Sequence, residues 1–219
     1  MKALVALSIA LFAVAFAVTP ALAQSSGSFN FNADTTACTD IGGLLGGGVS
    51  VTSLKTTMKV SSGNGLALVV RPSAVTGLVT NVSLSGKFGD AITTGSAKAA
   101  IQFSVAVTPL NGQPAPRVVP GAPVTYDDRF VQISTNLFGL LASCTETTPC
   151  TFDFNETTLS AHSYDFVVTG LSSGNYGITV SWAPTTNFTA PSKAMACVGP
   201  VVVTTEQVKM FNQSIGIAF

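Results

Sequence analysis

The stretch Phe166-Val-Val-Thr-Gly-Leu-Ser-Ser-Gly-Asn-Tyr-Gly-Ile-Thr-Val-Ser-Trp182 decides the fold. Its first half is a short apolar run ending at Gly170. Leu171 then stands as a single apolar plug among small residues, and Gly174 lets the chain turn. Tyr176, Ile178, Val180 and Trp182 follow at every second position, separated by Gly177, Thr179 and Ser181. Period two places the two sets on opposite faces of a strand, so one face is buried and the other is wet. The reading is strand, turn, strand.

The same period extends outward. In Ala97 to Val107, Ala99, Ile101, Phe103, Val105 and Val107 share one face, while Lys98, Gln102 and Ser104 share the other. Val49 to Val60, Leu66 to Val70 and Val75 to Leu84 read as further strands, with Gly77 a candidate bulge. After the quoted stretch come Pro200 to Thr204 and Val208 to Phe219; before it come Thr151 to Asn155 and His162 to Thr169. The prolines between Pro109 and Pro123 forbid a central strand there. The period changes once. Phe130, Ile133, Leu137, Leu140 and Leu141 recur at helical spacing. Thr125 and Asp128 stand as in a capping box, and Asp127 and Asp128 suit the positive end of a helix dipole, which predicts a helix over about 126–142.

The Gly170-Leu171 and Gly174-x-Tyr176 spacing resembles the tyrosine corner of immunoglobulin-like and fibronectin type III-like sandwiches, over about 20 residues. The resemblance implies that the Tyr176 hydroxyl bonds back to upstream backbone, with Leu171 and Gly174 in supporting structural roles. Where antibody domains carry Cys two residues after this Tyr, this chain has Ile178, so their inter-sheet disulfide is absent. The expected fold is all-β, an immunoglobulin-like β-sandwich of about ten strands with one inserted α-helix.

The N-terminus bears on location. Met1-Lys2 is followed by an apolar run from Ala3 to Val18, the helix-breaking Thr19-Pro20, and the small-x-small site Ala21-Leu22-Ala23. This is the pattern of a cleaved secretory signal over 1–23, with Gln24 as mature N-terminus and no Cys there for a lipid anchor. A polar, Gly-rich segment follows over 24–48, including an alternating piece with Phe29 and Phe31 on one side and the glycine run of 41–48. Those glycines lack the Lys-Ser/Thr ending of a phosphate loop. The sandwich domain takes 49–219. In an exported chain, four cysteines read as two disulfides. Three pairings exist; the short loop between Cys144 and Cys150 favours that bridge, with Cys38 left for Cys197. A zinc site would need more His or a CxxC pair.

Charged residues make up 9% of the chain, against about 25% in an ordinary protein, and formal net charge is zero. Nothing here suits nucleic acid, and much of the surface must be Ser, Thr, Asn, Gln and Gly. No catalytic residue, cofactor or metal ligand stands out. His162 is the single histidine, so a Ser-His-Asp triad would have to use it with Asp165, Asp153 or Asp127. No GxSxG elbow singles out a serine, and a surface His at a strand end accounts for His162. Asp153, Asn155 and Glu156 lack EF-hand spacing. Trp182, Tyr126, Tyr164 and Tyr176 are the residues a sugar-stacking platform would use. Phe211, Ile215, Ile217 and Phe219 fall on one strand face, which also suits an outer-membrane barrel. The expectation is an exported, non-enzymatic surface or extracellular-matrix protein of the periplasm or exterior. Polysaccharide, an envelope component or a second copy are the partners left open, and an outer-membrane barrel or a secreted hydrolase are the alternatives.

Overall fold

A computed structural model describes residues 29–34, 52–61, 65–140 and 143–210. The signal segment, the glycine run, Cys38 and Phe211–Phe219 lie outside the described residues. Ten strands follow one another: β1 (Phe29–Asp34), β2 (Thr52–Val60), β3 (Leu66–Gly86), β4 (Thr94–Pro109), β5 (Arg117–Val119), β6 (Val124–Ser134), β7 (Cys150–Ser163), β8 (Phe166–Thr169), β9 (Gly174–Phe188) and β10 (Lys193–Lys209). One sheet runs β1-β10-β3-β8-β5, with β7 also pairing β3; the other runs β2-β9-β4-β6. Both are antiparallel in every described pair, and they pack face to face as an all-β sandwich.

Alternation explains the packing. β3 buries Leu68, Val70, Leu78 and Val82 at every second position or multiples of it, and β9 buries Tyr176, Ile178, Val180 and Trp182. Phe103 of β4 lies at the centre, stacked on Tyr126 at 4.2 Å and on Trp182 at 5.8 Å between ring centroids. Leu66 to Val70 and Val75 to Leu84 are one strand of 21 residues, and its register with β10 runs through Pro72, opposite Val203. Gly77 is no bulge: it pairs in register with Cys197 and Leu159. The irregularity falls instead between Val198 and Val201, where Gly199 and Pro200 are left out of the ladder. That bulge inverts the phase of β10, so Ala194, Ala196 and Val198 face inward before it and Val201 and Val203 after it.

The expected helix over 126–142 is absent. Residues 124–134 are strand β6, followed only by a 3-10 segment, Thr135–Leu140. Val124, Thr125, Tyr126, Phe130, Val131 and Ile133 are aromatic or β-branched, types that fit a pleated surface. The helical spacing joined unlike positions: Phe130 and Ile133 lie on opposite faces of β6, and Leu137 and Leu140 belong to the 3-10 segment. β6 also carries a bulge. Ile101 pairs with Asp127 and Gln102 with Thr125, so Tyr126 is the extra residue. Tyr126 and Asp127 both turn inward, and Arg129, Val131 and Ile133 continue on that side. Phe130, counted for the helix's apolar face, is 60% exposed.

The quoted corner forms as expected. Gly170 and Gly174 have φ of 73° and 144°, conformations that a side chain resists. The Tyr176 hydroxyl accepts from the Ser172 N–H at 3.0 Å and donates to the Ser172 carbonyl at 3.2 Å. Leu171 packs against the core. Cys144 and Cys150 are bridged, with Cα atoms 5.0 Å apart. Cys197 is buried on β10; its expected partner Cys38 is outside the described residues.

Candidate functional site: the open side between β6 and β7

Each sheet ends in an edge strand, and the two sides of the sandwich are closed differently. On one side, Asn30 and Asn32 of β1 donate to the carbonyls of Thr57 and Lys55 on β2, at 2.7 and 2.9 Å. On the other side, β6 faces β7. The ladder sets Thr76 opposite Ser160 and Ala74 opposite His162, which puts the even-numbered residues of β7 on the inner face. The β6 bulge aims Asp127 into the same gap.

Four side chains meet there. Thr76 donates to Asp127 Oδ2 at 3.1 Å, and Ser160 donates to the same oxygen at 3.0 Å. His162 Nε2 lies 2.8 Å from Ser160 Oγ and 4.0 Å from Asp127 Oδ2. Sequence reading named His162 and Asp127, and the fold brings them together. It did not find Thr76 or the particular serine. Period two in Ser160 and His162 was the available signal, but Asp127 had been assigned to a helix. Asp153 sits on β7 opposite Ser83, and Asp165 pairs with Arg71, so neither joins the cluster.

The order of contacts determines the chemistry. In a catalytic triad the imidazole stands between acid and serine, each on its own ring nitrogen. Here Ser160 stands between Asp127 and His162. Ser160 Oγ thus touches both the carboxylate and Nε2, and the imidazole has no contact that places it between acid and serine. The cluster acts as a clasp between two sheets. Beyond it, Arg129 Nε approaches Glu156 Oε2 at 3.7 Å, while Arg129 Nη1 is buried without a hydrogen-bond partner. Farther along, the gap widens into a cleft of about 370 Å³ between Leu84, Ile133, Phe138 and Phe152. Asp128, expected with Asp127 at a helix start, points the other way and pairs with Lys98 at 3.2 Å.

The other face of β7 and its free edge are open. Leu159 is 77% exposed there, and even the inner-face Phe152 and Phe154 are more than a third exposed. The sugar-stacking platform does not form, since Trp182, Tyr126 and Tyr176 are core residues and Tyr164 alone of the four is on the surface. Burial also raises the Tyr126 phenol far above its ordinary pKa, and that hydroxyl donates to the Pro72 carbonyl at 2.7 Å. Among the described residues no three His, Cys, Asp or Glu side chains converge on a metal-sized site. No helix among them is long and apolar enough to cross a membrane.

No family model matches this chain, and no curated protein matches it. Among solved structures it is similar to dimeric latent PorU from Porphyromonas gingivalis, with 7% identity and a TM-score of 0.24. The match covers 86% of this chain and 13% of that one, so the chain spans a small part of the length of its structural neighbour.

Proposed function

We propose that this chain is an exported, non-enzymatic surface or matrix protein that self-associates by strand addition at β7. The observation that carries this reading is the character of that edge. β7 has 14 residues and, among the described residues, a single ladder partner, β3. Its register runs from Ser163 to Cys150 without a shift. Natural edges are usually blunted with Lys, Pro or a bulge. β7 has none of these, and Leu159 projects from its outer face. Its free N–H and C=O groups are a template for another strand, and side chains at alternate positions would select it.

Export is supported by the pattern of residues 1–23 and by the Cys144–Cys150 bridge, which persists in oxidising compartments. The low charge leaves little repulsion to keep copies apart. The Ser172–Tyr176 bonds favour the immunoglobulin-like class within the sandwiches. Two open sheets fit a membrane barrel poorly, and at Ser160 the serine, not the imidazole, stands in the middle, an order unlike that of a catalytic triad.

Sedimentation velocity on the parent and on Leu159→Lys tests the reading. The parent should self-associate, and the variant should do so at least about tenfold more weakly, because a charge is desolvated at the joint. Its melting point should be unchanged, since Leu159 is exposed. A parent that stays monomeric at about 1 mM, or a variant that associates equally well, would refute it.

A further inference from the structure

A second feature lies just beyond the end of β7, where β5 and the loop after it meet the start of β8. A cavity of about 530 Å³ opens there. Val118, Pro120 and Val167 contribute its apolar surface, and Arg117, Tyr164 and Asp165 its polar groups. The backbone holds these elements in register: Arg117 pairs with Thr169, and Val119 with Val167. Tyr164 is 44% exposed. Its ring meets buried Phe166 edge-on, 5.4 Å between centroids at 68°, which fixes the direction of its free face.

The charges are distributed unequally. Asp165 accepts from Arg71 Nε at 2.5 Å and from Nη2 at 2.7 Å, a fork-to-fork pair. Arg71 thereby holds the Asp165 carboxyl below the ordinary carboxylate range. Each carboxylate oxygen keeps a second lone-pair site for another donor. Arg117 is exposed and makes no ion pair among the described residues. Arg71 is offset by Asp165, with Glu206 also acting on it, and Arg117 is the cation of the cavity lining without an ion pair among the described residues, beside an aromatic face and an ionised acceptor.

We propose that this cavity binds a carboxylated saccharide, a sugar of the uronic-acid type. The Tyr164 ring stacks on the apolar face of the pyranose, Asp165 accepts from ring hydroxyls, and Arg117 pairs with the sugar carboxylate. A neutral sugar would leave Arg117 without its counter-charge. An acidic peptide would satisfy Arg117 but would bring a second carboxylate toward Asp165 and few hydroxyl donors. Small-ligand sites of this kind combine apolar surface with a few placed polar groups.

Titration calorimetry with trigalacturonate, cellotriose and an acetylated glutamyl tripeptide amide on the purified mature chain tests the assignment. Trigalacturonate should bind with a dissociation constant of about 1 mM or tighter, and the other two at least about tenfold more weakly. Arg117→Gln should weaken trigalacturonate by about tenfold and reduce its preference over cellotriose. Tyr164→Ala should weaken both sugars, while Tyr164→Phe retains binding. Thermal melts establish that each variant is folded, and Tyr164→Phe with Arg117→Gln keeps the test decisive if Tyr164→Ala is not. Equal binding of the two sugars, preference for the peptide, no trigalacturonate binding by the parent, or insensitivity to Arg117→Gln would each overturn the proposal. Sedimentation at saturating trigalacturonate separates this site from the β7 edge, whose association does not depend on it.

Discussion

Tyr176 has no exposed surface, yet its hydroxyl must be satisfied, and both partners are on one residue, Ser172. Tyr176→Phe preserves the ring in the core and removes the only atom that serves the Ser172 N–H and carbonyl. The loss should be about 1–2 kcal/mol, since half-buried backbone groups lose their partner while the burial of the ring remains. Urea unfolding of parent and variant checks this; an equal midpoint at equal slope would mean that water replaces the hydroxyl without cost. Asp127 illustrates the same accounting in charged form. It receives protons from two hydroxyls on two strands of the opposite sheet, so a single carboxylate ties β6 to β3 and β7. Sequence alone offered Asp127, Asp153 and Asp165 as equivalent partners for His162. Only the phase of each strand distinguishes them.

At the scale of elements, the bulges in β6 and β10 set which residues face inward. Each inserts residues that the partner strand does not match, so apolar positions shift from one parity to the other. Reading β6 as a helix came instead from joining Phe130 and Ile133, on opposite faces of the strand, to leucines of the 3-10 segment beyond it. β4 and β9 carry alternation with one phase across Ala97–Phe103 and Tyr176–Trp182, and these were legible directly. Spacing between elements is tightest where β4 begins. A methyl group placed on Gly95 would lie 2.7 Å from Leu84 Cδ2, 3.1 Å from Val82 Cγ1 and 3.3 Å from Ser192 Oγ. Leu84 and Val82 belong to the facing sheet and are themselves buried. Gly95→Ala should therefore destabilise by about 1–3 kcal/mol through overpacking, although alanine suits a strand backbone no worse than glycine. A chemical melt reads it directly; a neutral or stabilising result would mean that the sheets can separate at this end without loss.

For the whole molecule, β10 pairs with β1 near the start of the described chain and with β3 along most of its length. The fold thus closes only when distant segments meet, and a bridge such as Cys144–Cys150 secures a local loop rather than that closure. A disulfide suits a protein of the cell envelope or exterior. Export predicts cleavage after Ala23. Intact mass of the protein recovered outside the cytoplasm should correspond to a chain starting at Gln24, two hydrogens lighter for each bridge formed. Recovery of the chain with residues 1–23 attached and both Cys144 and Cys150 alkylatable would contradict the assignment.

By itself the sequence determined the class of fold and its corner. Alternation at Ala97–Val107 and Tyr176–Trp182 is a local property, and the Gly170, Leu171, Gly174 and Tyr176 constellation acts within one turn of chain. The Cys144–Cys150 bridge was legible for the same reason, because its loop is short. Tertiary structure alone decided the rest. Whether 124–134 is strand or helix depended on the ladder with β4, which the spacing of its apolar residues did not reveal. The Thr76, Asp127, Ser160 and His162 clasp draws on three strands, and the Arg117, Tyr164 and Asp165 cavity on segments far apart in the chain. The openness of β7 is a matter of what does not pair with it. Such features depend on which strands become neighbours, a global outcome of packing two sheets that periodicity along one chain does not contain.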